Sequence, residues 1–97
     1  MEVRRSFLDL LDTARQMTEE RLRQSPDFGP YLSVRRQLAF LHGAVLSDRA
    51  LTDEEVESFT FGRYAAREFE PTDPDYADVL HRVYYRVRRG DGVRRDP

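Results

Sequence analysis

The sequence predicts an all-α domain, either a four-helix bundle or an irregular helical packing, with helices over about 3–24, 30–47, 53–69 and 74–89. Three observations lead there. Apolar residues recur at alternating spacings of three and four along most of the chain, which is the rhythm of a helix face. Turn and helix-start signals fall at Ser25–Pro30, Thr52–Glu55 and Pro71–Pro74, dividing the chain into four helix-length pieces. The longest run of strand-like alternation, Phe59-Thr60-Phe61, is too short to define a strand.

In the first helix, Val3, Phe7, Leu10, Ala14 and Met17 draw one apolar seam, widened by Leu8, Leu11 and Leu22. Two prolines and a glycine in Ser25–Pro30 end it, and Pro30 suits the first turn of the second helix, where its missing N–H costs nothing. Tyr31, Val34, Leu38, Leu41 and Val45 continue the rhythm, thickened by Leu32, Ala39 and Leu46. Gly43 interrupts that stripe, and the close approach of a neighbouring helix would explain it. Thr52-Asp53-Glu54-Glu55 is a capping box, and Leu51 with Val56 makes a hydrophobic staple across it. The third helix runs on through Val56, Phe59, Tyr64, Ala65 and Phe69, with Gly62 marking a kink, a break or tight packing. Asp73-Pro74 starts the fourth helix, whose stripe is Tyr76, Leu80, Val83 and Val87. Arginines 86, 88 and 89 suit its last turn, and Gly90 its C-terminal cap,. Residues 90–97 read as a frayed polar tail.

Ninety-seven residues make one domain,. There is no cysteine, so neither disulfides nor thiolate metal sites are available. No apolar run approaches a membrane span, and a cytoplasmic protein without membrane contact is expected. All sixteen basic residues are arginine, the net charge is −2, and the charge is blocked: residues 48–78 hold ten acids against three arginines, net −7. Such a block is either a solvated face or a surface that steers a basic partner.

Catalytic signals are weak. His42 and His81 lie on different helices outside any metal-ligand motif,. No nucleophile elbow accompanies Ser33, Ser47, Ser58 or Thr60, and no phosphate-binding glycine loop is present. The expectation is a protein with no enzymatic activity, no cofactor and no metal. Two binding readings remain. Arg82, Arg86 and Arg89 with Tyr85 could give the last helix a basic face for nucleic acid or a regulatory partner, which is the alternative function. Otherwise the work is protein contact, for which Tyr64 and Tyr85, beside the apolar stripes, are the better candidates. The three/four seams are also compatible with a homodimer.

One stretch resembles a known family. Thr60, Gly62, Ala65, Glu68-Phe69, Thr72-Asp73-Pro74, Leu80 and Tyr84-Tyr85 stand at unbroken spacing, preceded by Gln37-Leu38, Val45-Leu46, Asp48-Arg49 and Leu51. In these residues the chain resembles the small helical immunity proteins that protect bacteria from their own type VI secretion NAD(P)+ glycohydrolase toxins. The resemblance implies an all-helical antidote that binds the catalytic domain of a cognate toxin, or of a related ADP-ribosyltransferase-like effector, and covers its active site. It also implies no catalysis and no cofactor. A cleft for a dinucleotide pyrophosphate is electropositive, and an acidic projection made of Glu68, Glu70, Asp73 and Asp75, helped by Asp48, would be drawn into it. The competing reading gives Asp73 only a capping role and pairs Glu68 with Arg35 or Arg36.

Overall fold

A computed structural model describes residues 2–96. Met1, and Pro97 at the end of the expected tail, lie outside the described residues. Five α-helices follow in order: α1 (Glu2–Gln24), α2 (Gly29–Leu46), α3 (Asp53–Ser58), α4 (Phe61–Tyr64) and α5 (Pro74–Arg89), with a π-helical turn, Ala65–Phe69, continuing from α4. Three of the expected helices are present nearly as drawn. The expected third helix, 53–69, is divided into α3, α4 and the π turn.

Helix α1 is the spine. Arg4 reaches the Val45 carbonyl at 2.7 Å and Arg35 forks the Glu19 carboxylate at 2.9 Å, so α2 runs antiparallel to α1. Thr18 meets Tyr76, and Arg86 bonds Ser6 and the Val3 carbonyl, so α5 is antiparallel to α1 as well. The buried line of α1 is Phe7, Leu11, Ala14, Thr18 and Leu22. This line is rotated from the expected seam: Leu10 and Met17 flank it, and Val3 is 52% exposed. A seam of 3.5-residue period drifts off one face of a straight helix of 3.6 residues per turn, and α1 buries the residues on the undrifted line.

Val34, Leu38, Leu41, Ala44 and Val45 bring α2 into the core. Ala39 and Leu46, expected to thicken that stripe, are exposed. A Cβ on Gly43 would meet nothing within 4 Å, so no helix approaches there, contrary to expectation.

The capping box forms in full: Thr52 Oγ1 accepts from the Glu55 N–H, and Glu55 accepts from the Thr52 N–H at 2.9 Å. Helix α3 nevertheless stops after one and a half turns, because Phe59 is extended (φ −70°, ψ 132°). Gln37 of α2 takes over at the break. Its amide oxygen accepts the N–H groups of Thr60 and Phe61 at 2.8 and 3.1 Å, capping a new helix start from outside. Gly62 then lies against Tyr84 of α5, whose ring atoms would stand 2.8 Å from a Cβ. Of the readings open for Gly62, tight packing is the one observed.

Helix α5 buries Tyr76, Ala77, Leu80, Val83 and Val87. Gly90 closes it in the left-handed conformation at φ 76°, which glycine adopts without a Cβ penalty. Residues 90–96 are not frayed. Val93 is buried, a Cβ on Gly92 would collide with Phe7, and Leu51 bonds Arg94 and Asp96 at 2.8 and 2.7 Å in an isolated parallel bridge. This C-terminal strap closes one end of the molecule. The turn between the π segment and α5 closes the other.

Candidate functional site

That second end is an elbow from Glu68 to Asp75, built around aromatic rings. Phe69, buried, stacks on Tyr31 of α2 with ring centres 5.3 Å apart, and Tyr76 lies 4.9 Å from Phe69. Phe69 therefore anchors the turn in the core. The chain doubles back over it, and both Thr72 and Asp73 donate their N–H groups to the Phe69 carbonyl.

Asp73 occupies the N-cap position of α5, with Pro74 following, but its side chain makes no capping hydrogen bond. Arg21, at the end of α1, instead grips it with two bonds of 2.6 and 3.1 Å while stacking over the Tyr76 ring. The guanidinium holds the Asp73 carboxyl below its usual range. The carboxylate raises Arg21 in turn. Asp73 fixes the shape of the elbow.

The other acids differ in their freedom. Glu70 lies 2.7 Å from His81. Asp75 is exposed on the first turn of α5, and Glu68 is exposed within the π turn; neither has a side-chain partner among the described residues. The expected pairing of Glu68 with Arg35 or Arg36 is not found among the described residues: Arg35 is engaged by Glu19, and Arg36 makes no ion pair there. Tyr64 is half-buried against the core and lines a groove of about 270 Å³ with Thr60, Arg63, Arg67 and Glu68.

Two candidates lie away from the elbow. Tyr85 is 60% exposed, about three turns along α5, and its hydroxyl accepts from Arg89 at 2.7 Å. Asp48 follows the far end of α2 at φ 55°, paired with Arg94 of the strap at 3.4 Å. Some 15 residues of helix, roughly 22 Å, separate it from the Tyr31–Phe69 contact, so the structure does not bring Asp48 to the acidic projection. The basic face of α5 is knit into the protein: Arg82 pairs with Asp78, Arg86 bonds α1, and Arg89 holds Tyr85 and Asp91. Among the described residues no group of three or more His, Asp or Glu side chains is placed to hold a metal ion, and no helix is long and apolar enough to cross a membrane.

Sequence reasoning singled out neither Arg21 nor Thr18 as part of the elbow, nor Arg63 and Arg67 in the groove. The partners of Thr18 and Arg21 lie 58 and 52 residues away, beyond the reach of local spacing, whereas Arg63 and Arg67 stand four apart with Thr60, Tyr64 and Glu68 at helical spacing,, a signal the sequence does carry. Gln37 was visible only as one matching position in the family resemblance.

The fold and this surface define a small all-α domain with a rigid acidic elbow at one end and a strapped base at the other. The family model described as Tsi6 matches residues 6–89, and the chain belongs to that family of type VI secretion immunity proteins. It is 32% identical over 90 residues to the immune protein Tsi6 of Pseudomonas aeruginosa, across 92% of this chain and 95% of that protein. The solved structure of Tsi6 from Pseudomonas aeruginosa superposes with a TM-score of 0.75 at 30% identity, covering 84% of this chain and 93% of that one. A chain in the structure of Tse6 in complex with Tsi6 superposes with a TM-score of 0.76 at 31% identity, covering 87% and 92%. The expected immunity-protein family and all-α fold are thus both found.

Proposed function

We propose that this chain is the cytoplasmic antidote to a cognate type VI secretion toxin, binding the toxin's C-terminal catalytic domain and covering its active-site cleft. The observation that carries the reading is the near full-length likeness to Tsi6, a protein solved in complex with Tse6. The toxin, on this reading, is an NAD(P)+ glycohydrolase or a related ADP-ribosyltransferase-like effector. The antidote itself turns nothing over.

The elbow suggests how occlusion works. A pyrophosphate-binding cleft presents positive charge, and Glu68, Glu70 and Asp75 offer negative charge on a turn that Phe69 and the Arg21–Asp73 fork hold in shape. Long-range attraction speeds encounter, and the preformed turn limits the ordering cost of docking. Tyr64 adjoins Glu68 and supplies contact area.

The test is rescue. Cells expressing the C-terminal domain of a toxin encoded beside this chain should die without it and grow with it. Failure to rescue from any such toxin removes the reading. The acidic-plug component has its own arm, the double reversal E70R/D75R. It should slow association most at low salt. Unchanged kinetics there would discard the plug and leave the antidote standing.

A further inference from the structure

Most of the chain's arginines are paired with a carboxylate of the same chain, including Arg21, Arg35, Arg49, Arg82 and Arg95. Arg63 and Arg67 are not. Among the described residues neither makes an ion pair or a side-chain hydrogen bond, although both lie within the most acidic block of the sequence and line one groove. The groove's other lining residues are Thr60, Tyr64 and Glu68.

The hydrogen-bonding character of this groove is set by Gln37. Its amide nitrogen donates to Thr60 Oγ1 at 2.9 Å and to Ser33 Oγ at 3.0 Å, while its oxygen takes the Thr60 and Phe61 N–H groups. Thr60 Oγ1 is thus used as an acceptor, and its proton is left to be donated elsewhere. Two guanidiniums, the Thr60 hydroxyl and the Tyr64 phenol make the groove rich in donors, against the single carboxylate of Glu68. The walls are also fixed in place. The break at Phe59–Thr60 is clamped by Gln37, and the π turn is closed by the Glu70 N–H on the Ala65 carbonyl at 2.8 Å. A π turn inserted in a helix is frequently found at functional sites.

We propose that this groove is the second half of the toxin-binding surface, and that it receives a carboxylate-bearing segment of the toxin domain between Arg63 and Arg67. The proposal rests on the antidote reading above and adds to it a partner chemistry opposite to that of the acidic elbow. Guanidinium forks bind carboxylates through two parallel hydrogen bonds. Arginine and tyrosine are also the residues that most often dominate interface energetics. The elbow would then be drawn to positive charge while the groove beside it fastens on negative charge, so that only a toxin with both signs in the right places fits.

The test measures binding of the full chain to the C-terminal domain of the toxin that it neutralises in the rescue assay. R63E/R67E should weaken binding by about a hundredfold or more, the loss of two charge-assisted contacts. The neutral pair R63Q/R67Q should weaken it about tenfold. The control is R5E/R15E, which changes net charge by the same amount at two solvent-facing arginines on α1 away from the elbow and the groove; it should stay within about threefold of the parent. Circular dichroism checks that each variant is folded. Parent-like binding by R63E/R67E, or an equal loss in R5E/R15E, overturns the groove while leaving the antidote reading intact. Failure of the parent chain to bind any toxin domain removes both.

Discussion

Thr18 is the buried polar residue on which the elbow end is pinned. Its hydroxyl donates to the Ala14 carbonyl at 2.8 Å, which leaves its oxygen to accept from the Tyr76 hydroxyl at 2.7 Å. Thr18→Val would strand that phenol in the core, at a cost of about 1–3 kcal/mol. Tyr76→Phe removes only the donor and leaves Thr18 bonded to Ala14, so its cost is smaller. Urea titrations should rank the two variants in that order. Burial also pushes the Tyr76 hydroxyl up to about 12, against an unfolded value near 10. The folded state therefore holds this proton more tightly, and its contribution is complete below about pH 10 and lost as pH rises toward 12. Burial raises Tyr31 in the same direction. Stability of the parent should fall across pH 10–12, and Tyr76→Phe should flatten that decline. An unchanged slope in the variant would contradict the assignment.

The break between α3 and α4 separates what local sequence encodes from what it does not. The start of α3 was legible because every part of its capping box lies within four residues, Thr52 to Glu55. Its early stop was not legible, since nothing in Phe59-Thr60-Phe61 forbids a helix strongly enough to end one. The stop depends on Gln37, 23 residues earlier, reaching across to the Thr60 and Phe61 N–H groups. The elbow follows the same rule. Asp73-Pro74 announced a helix start, yet the fate of the Asp73 carboxylate depended on Arg21, 52 residues away. Gln37→Ala should thus act on a whole element. Two N–H groups lose their acceptor, which costs about 1–3 kcal/mol in urea unfolding. Amide exchange should accelerate through Phe61–Phe69 while α1 keeps its protection. Uniform acceleration across the chain would instead mean that α4 and the π turn are not held as a unit by this clamp.

The elbow and the strap close opposite ends of the molecule, and α5 measures the distance: its 16 residues span roughly 24 Å from one to the other,. By sequence the strap has the character of a frayed tail, short, polar and rich in arginine and glycine. Its one apolar residue, Val93, is what the core takes up, and its register depends on Leu51, which no local pattern links to it. Arg94 and Arg95 then tie it to Asp48 and Asp53, so the arginines of the tail serve the fold. Removing residues 90–97 should expose Leu51 and one side of Phe7 and release the left-handed cap at Gly90. The loss of Val93 burial alone is worth about 1.5–3 kcal/mol. Since each kcal/mol shifts the melting temperature of a domain this size by about 4–8 °C, a fall of about 10 °C or more is expected in a thermal melt. Toxin affinity, measured well below that transition, should stay unchanged, because the elbow and the Arg63–Arg67 groove draw their support from α1, α2 and the first turns of α5. A truncated chain that melts like the parent would show that the strap does not brace the base. One that stays folded yet loses its partner would move part of the binding surface to this end, where Asp48 stands.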